Sequence, residues 1–292
     1  MFLKSQSNAD FQSAIRAALD TASVELLDDG PRSHMGASEI GEKCERYLWY
    51  KFRWVVIEKW KPRMLRLVNR GHREEPFLIE LLEQAGFEVH GTDPATGEQF
   101  RFSACEGHFG GSCDGIARLR ADSELGKQFP QWLGVPLLVE FKTKCTGRGF
   151  ENLCTSGVRV AEPKHFAQRN VYGAAFGLDK TIYVSVNKND DDLYVEFDDV
   201  DRDAGARLVD KANAIIHSPT PPARLHEQPE HYDCKYCPAK AVCFDGAAFE
   251  HNCRSCSHCT PVADAQWNCG HWNGIVDKSF IPVGCKDWRS IA

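Results

Sequence analysis

Apolar residues recur three and four apart between Asn8 and Leu27 (Phe11, Ile15, Ala18, Leu19), which predicts a first helix, stopped by Asp28-Asp29-Gly30-Pro31. After a Gly/Ser stretch, Ala37 to Arg46 leads into a short aromatic helix carrying Tyr47, Leu48, Tyr50 and Phe52. A longer helical period from about Met64 to Gln84 turns Leu65, Val68, Phe77, Leu78, Leu81 and Leu82 toward a core, with Gly86 as its stop. The period then falls to two. Phe87–His90, Phe100–Ser103 and Gly107–Leu119 read as a strand meander, and Val135–Lys144 as a β-rich strand bounded by Gly and Pro. A helix over Pro163–Phe176 ended by Gly177, strands over Thr181–Asn187 and Leu193–Phe197, and a helix over Ala204–His217 follow. Ser218-Pro219-Thr220-Pro221-Pro222 reads as a linker. This order predicts an α/β fold with a mixed central sheet flanked by helices.

The chain of 292 residues is 42% hydrophobic and 26% charged, which excludes a disordered tail and provides for a real core. No apolar run approaches the ~18 residues of a membrane span. Met1 to Asp10, with Lys4 the one basic residue, lacks the layout of a signal peptide. The expectation is a cytoplasmic protein with no membrane partner. A net charge of −6 argues against general nucleic-acid affinity, but not against a local basic channel. Eight basic residues lie between Lys51 and Arg73 (Lys51, Arg53, Lys59, Lys61, Arg63, Arg66, Arg70, Arg73), against one acid, Glu58. A solvated helix face accounts for such a run as well as a phosphate-binding surface does.

Placement decides what the 13 cysteines mean. Five are scattered (Cys44, Cys105, Cys113, Cys145, Cys154) and eight fall in the last 59 residues. In a reducing compartment such a cluster points to metal rather than to disulfides. The organisation read from this is an N-terminal helical segment carrying Cys44 (1–60), a core (61–217), a cysteine segment (218–248) and a Cys-rich tail (249–292) in which metal replaces a hydrophobic core.

The candidate chemistry lies on the predicted strands. In Glu140-Phe141-Lys142, residues two apart share a face, so Glu140 and Lys142 project together while Val139 and Phe141 point into the core. A charged pair on an otherwise apolar strand is costly unless it has a task. Asp114, in Gly111-Ser112-Cys113-Asp114-Gly115, can reach the same face. Two carboxylates converging with an amine suit Mg²⁺ or Mn²⁺ and an activated water, and a buried structural ion pair explains Glu-x-Lys alone equally well. Gly71-His72-Arg73-Glu74-Glu75 is placed at a helix start, where His72 or Glu75 can enter the site. Gln168 and Tyr172, four apart, share one helix face.

Gly-x-x-x-Glu, Asp-Gly, Glu-x-Lys and Gln-x-x-x-Tyr, in that order, resemble the PD-(D/E)XK nuclease superfamily and, within it, the RecB-like branch. The matching residues are Glu75, Asp114, Glu140, Lys142, Gln168 and Tyr172, over roughly residues 37 to 245; Cys113 stands where the motif name has Pro. The resemblance implies a restriction-endonuclease-like core. It also implies a metal-dependent DNA exonuclease acting on single strands or duplex ends in phage or bacterial recombination, repair or CRISPR adaptation, with partner proteins of those processes. Asp114 and Glu140, the Phe141 carbonyl and His72 or Glu75 would hold the ion. Lys142 would orient or deprotonate the water, Gln168 and Tyr172 would position the strand, and Lys59, Lys61, Arg63, Arg66, Arg70 and Arg73 would track phosphates. The alternatives are a restriction-type endonuclease and a DNA-binding module with a nuclease-like fold.

Two metal groups are expected besides. Cys234-x-x-Cys237-x5-Cys243 supplies three thiolates, and Cys44, in Gly-x-x-Cys-x-Arg-Tyr, is the candidate fourth. One cysteine before the core and three after it resemble the ligand pattern of a four-iron (4Fe-4S) cluster in RecB-like nucleases of the CRISPR-adaptation and AddB-like types; zinc at the C-terminal trio is the alternative. Cys253-x-x-Cys256-x12-Cys269-x15-Cys285 suits a Zn²⁺ knuckle, with His258, Cys259 and His271 as possible substitutes.

Overall fold

A computed structural model describes residues 8–144 and 148–291. Cys145 and most of the segment read for a leader (residues 1–7) lie outside them. The chain runs α1 (Asn8–Leu27), β1 (Met35–Gly36), α2 (Glu45–Phe52), α3 (Pro62–Gln84), β2 (Phe87–His90), β3 (Arg101–Ala104), β4 (Phe109–Ser112) and β5 (Gly115–Leu119). There follow α4 (Glu124–Gln128), β6 (Leu137–Lys144), α5 (Arg148–Ala161), α6 (Pro163–Phe176), β7 (Lys180–Asn187), β8 (Leu193–Asp199) and α7 (Arg202–His217). The C-terminal part carries α8 (Tyr232–Lys235), α9 (Lys240–Phe244), β9 (Cys259–Val262), β10 (Gln266–Cys269) and β11 (Gly274–Ile275).

The central sheet has the order β2-β5-β6-β7-β8, with β6 and β7 parallel and the other pairs antiparallel. The expected mixed α/β architecture is the one observed. The meander is not. β3 and β4 leave the main sheet and pair with β1, so the chain changes sheets at Cys113-Asp114, between β4 and β5. Gly110 and Gly111 leave little side-chain volume to oppose this turn, and periodicity across 107–119 does not reveal it. α4 and α5 were also absent from the periodic pattern, and Gly157, at φ +71°, interrupts α5.

Strand β6 divides the core. Leu137, Val139 and Phe141 face a cluster with Leu78, Ile182, Val184 and Val186, under α3. Leu138 faces the larger cluster, which α2, α6, α7 and the tail build together: Trp49, Phe52, Val171, Ile215, Cys256, Cys259, Trp267 and Cys269 all belong to it. The tail thus contributes apolar side chains to the main core as well as thiols. His108 is fully buried between them, and its Nε2–H donates to the Val262 carbonyl at 2.9 Å. Returning after α7, the linker is held by Trp49 Nε1–H on the Ser218 carbonyl (3.0 Å) and by Arg46 on the Pro222 carbonyl (2.8 Å).

Helical amphipathicity overstated burial in two places. On α3, Leu65 and Leu78 are buried, but Val68, Phe77 and Leu81 are exposed. On α1, Phe11, Ile15 and Leu19 are exposed as well. The basic run also divides: Arg53 is 2% exposed and belongs to the interior, so it cannot meet a phosphate backbone.

Because Trp267 (2% exposed) packs on Phe52 and His108, Trp267→Ala should destabilise the whole chain by about 3–5 kcal/mol. Urea unfolding followed by circular dichroism should give one transition at lower midpoint; loss of the tail signal alone, with the sheet unaffected, would contradict a shared core.

Candidate active site

The sheet change delivers Asp114 to the central strand. Its carboxylate oxygen Oδ2 accepts the backbone N–H of Phe141 at 2.6 Å, which fixes it beside β6. Glu140 and Lys142 emerge from the face of β6 that lies under α6, opposite Tyr183 and Ser185 of β7 in the strand register. Lys142 Nζ donates to Glu140 Oε1 and stands 4.0 Å from Asp114 Oδ2. Glu140 is fully buried, and its second oxygen, Oε2, has no hydrogen-bond partner among the described residues. An orphaned, buried carboxylate oxygen is costly unless a cation or donor meets it.

The electrostatics follow from this crowding. Burial pushes the Glu140 carboxyl up to about 8, and the Asp114 and Glu75 charges add to it against the pull of Lys142. For Lys142, burial works against the ammonium, but the Glu140 and Asp114 carboxylates outweigh it and hold it protonated. Glu75 is raised by burial and then by repulsion from Asp114. Its neighbour His72 approaches with Nδ1 at 3.2 Å from Glu75 Oε1 and is largely exposed. Both lie in mid-helix on α3, not at a helix start as the sequence suggested; Pro62 at the first turn starts that helix nine residues earlier than Gly71.

Gln168 and Tyr172 come from α6, both buried. Tyr172 stacks edge-on against Phe102, with centroids 5.7 Å apart. A Cβ on Gly111 would lie 2.6 Å from the Tyr172 hydroxyl, so the strand carrying Gly111 approaches this closely only with glycine there. Burial, followed by the Glu140 and Asp114 charges, raises the Tyr172 phenol well above its ordinary range and keeps it a donor.

Six of these residues, Glu75, His72, Asp114, Lys142, Gln168 and Tyr172, but not the fully buried Glu140, line one cleft of about 1050 Å³. Its cationic rim is Arg32, Arg101 and Lys164, from three separate segments. His165 lines it too, with Nδ1 2.9 Å from the Tyr183 hydroxyl, and burial, then Lys142 and its fellow lysines, lower it to about 3. None of Arg32, Arg101, Lys164 and His165 was singled out from the sequence, for they are lone residues that only the topology unites. By contrast, Lys59, Lys61, Arg63, Arg66, Arg70 and Arg73 do not line the cleft. Arg66 is engaged with Asp20 at 2.8 Å and Arg70 with Glu74 at 3.4 Å.

Two thiol groups lie outside the cleft. Cys44, Cys234, Cys237 and Cys243 line one cavity of about 450 Å³. Burial, and then the charges of Cys44, Cys234 and Cys243, push the Cys237 thiol up to about 11. The Cys44 loop presses on α6: a Cβ on Gly41 would lie 2.7 Å from the Lys164 Cα. At the mouth of this cavity His226 Nε2 meets Asp233 Oδ2 at 3.0 Å, with His231 stacked on His226, an arrangement the sequence did not reveal. In the tail, Cys253, Cys256, Cys259, Cys269 and Cys285 line a basin of about 500 Å³.

No protein-family model matches the chain, and a search of curated proteins finds no significant match. Among solved structures it is similar to SSO0001, at 16% identity and a TM-score of 0.42, covering 82% of this chain and 100% of that one. It is also similar to LHK-Exo, an alkaline exonuclease from Laribacter hongkongensis, at 16% identity, covering 68% of this chain and 90% of that one, with a TM-score of 0.40. The LHK-Exo complex with dAMP aligns over the same shares with a TM-score of 0.39.

If the acid pair holds a divalent ion, Mn²⁺ at about 100 times its dissociation constant should stabilise the protein by about 2.7 kcal/mol. The thermal midpoint of the wild type should rise accordingly, and that of Glu140→Gln and Asp114→Asn should not. An equal rise in all three would place the ion elsewhere.

Proposed function

We propose that this chain is a Mg²⁺- or Mn²⁺-dependent DNA exonuclease of the PD-(D/E)XK type, hydrolysing phosphodiester bonds at single-stranded or duplex ends. The observation that carries the reading is the buried Oε2 of Glu140, unpartnered among the described residues, beside Lys142, which with Asp114 lines a cleft that also bears Arg32, Arg101 and Lys164. The donor set fits the group: hard oxygen ligands from two carboxylates suit Mg²⁺ or Mn²⁺, and the ion would supply Lewis-acid activation of water and neutralise the scissile phosphate.

The chain's own residues do the rest. Asp114 is aimed by the Phe141 N–H, so the strand backbone sets one ligand direction. Lys142, held protonated, enters as a donor, orienting the water and offsetting phosphate charge. The raised Tyr172 phenol, with Gln168 beside it, positions the strand. Glu75 or His72, which also line the cleft, would hold the ion directly or through water. Arg32, Arg101 and Lys164 guide the phosphate backbone into the cleft, a task the sequence had given to the α3 stretch.

By the same reading Cys44, Cys234, Cys237 and Cys243 hold a 4Fe-4S cluster that clasps the N-terminal loop to the segment after the linker. Their common cavity, which draws one cysteine from before the core and three from after it, supports a shared metal group. The setting is phage or bacterial recombination, repair or CRISPR adaptation in the cytoplasm, alongside partner proteins of those processes.

End-labelled linear and covalently closed circular DNA, incubated with Mg²⁺ or Mn²⁺, should separate the possibilities. Degradation of the linear form alone is expected; cutting of the circle would make it a restriction-type endonuclease, and binding without cleavage a DNA-binding module. Glu140→Ala, Asp114→Ala and Lys142→Ala should each lower the rate by roughly 10²–10⁴-fold. Protein purified without oxygen should be brown, and Cys44→Ser should bleach it; colourless, iron-free wild type after reconstitution would refute the cluster.

A further inference from the structure

Two guanidinium groups in the core lack a conventional counter-charge. Arg53 is 2% exposed and Arg254 1%. Both lie over the Trp267 ring, 4.9 Å from its centre. Arg53 donates through Nη2 to the carbonyls of Cys256 (3.1 Å) and Cys259 (2.8 Å), and Arg254 through Nη1 to those of Arg32 (3.2 Å) and Ser33 (3.1 Å). Neither side chain forms an ion pair with a carboxylate among the described residues, and Arg53 lies against the backbone of Cys256 and Cys259. Three of their nitrogens have no acceptor among the described residues: Nε of Arg53, and Nε and Nη2 of Arg254. Two like charges buried this way are among the costliest arrangements a core can hold, unless negative charge stands close by.

The neighbouring structure that can supply it is the thiol basin. Cys259 faces Cys269 across the β9–β10 register. Cys253 is in contact with Cys259, and its sulfur lies 3.6 Å from the Phe280 carbonyl, which also accepts the Gly284 N–H at 3.1 Å. The Arg289 N–H points at Cys256 Sγ from 3.5 Å. Backbone donors aimed at sulfur favour thiolates. Neutral thiols would leave the two arginines uncompensated. Four thiolates on a divalent ion carry a net −2, which matches the two guanidinium charges; one histidine ligand would leave −1, and two would leave zero.

We propose that the tail binds one zinc ion in an all-thiolate site drawn from its five cysteines, and that this dianionic centre is the counter-charge of Arg53 and Arg254. His258 and His271 are then not ligands. Cys253, Cys256 and Cys269 are the common members; Cys285 follows from the spacing, and Cys259 competes with it through its contact with Cys253. The site is thereby a part of the main core rather than an appended knuckle, since Arg53 comes from the turn that closes α2.

The test uses the full chain. Elemental analysis should find one zinc equivalent that the paired Cys253→Ser, Cys256→Ser variant lacks. Cobalt exchanged into the site should show the intense visible bands and sulfur charge-transfer absorption of four-thiolate coordination. The paired His258→Ala, His271→Ala variant should keep both the metal and that spectrum. Arg53→Met should release the metal to a chelator roughly tenfold faster, because it removes one of two counter-charges, whereas Arg207→Met, at an exposed position, should not. A cobalt spectrum with nitrogen ligation, zinc content unchanged by the cysteine pair, a brown iron centre lost with Cys253, or unaltered release from Arg53→Met would each overturn the proposal. The wild-type spectrum decides even if Arg53→Met fails to fold.

Discussion

A carboxylate sealed from water on the central strand is the constraint around which this molecule is arranged. Glu140 sits at 0% exposure with one oxygen on Lys142 and the other unmet. Each surrounding element answers to that cost. The sheet change at Cys113-Asp114 brings a second carboxylate beside the ammonium, and α6 roofs the pair with Gln168 and Tyr172. Moving any of these would leave the charge in the core with even fewer partners, so geometry useful for catalysis and geometry required for folding coincide here.

The larger core cluster repeats the problem with the sign reversed. Arg53 and Arg254 are cations buried against Trp267, and the thiol basin is next to them. The loop before α2 carries Cys44 and packs on the first turn of α6, the helix that bears Gln168 and Tyr172.

Much of this was legible in the sequence where a residue broke its own local pattern. Glu140 and Lys142 stood out as charges on an apolar strand, and Gln168 and Tyr172 as polar positions at helical spacing; the structure brings Lys142, Gln168 and Tyr172 to one cleft with Asp114 and buries Glu140 against Lys142. The helices over Asn8–Leu27 and Pro163–Phe176 have the predicted bounds, because each has a clear stop. What stayed hidden depends on topology. Arg32, Arg101 and Lys164 are single basic residues from distant segments, and no local pattern unites them. Arg53 looks like its exposed neighbours in the basic run, although it ends in the core. Exposed Val68, Phe77 and Leu81 show the reverse failure: a helical stripe records which positions could be buried, not which neighbour arrives to bury them.

The central claim is that Glu140 Oε2 and Asp114 are the two protein anchors of one catalytic cation. A crystal soaked in Mn²⁺ and measured at the manganese absorption edge tests it most directly. The account predicts an anomalous peak within about 2.0–2.4 Å of oxygens from both carboxylates, in the cleft floor, with Lys142 outside the coordination shell. A peak at the His226, His231 and Asp233 surface alone, or none at the cleft floor, would contradict it.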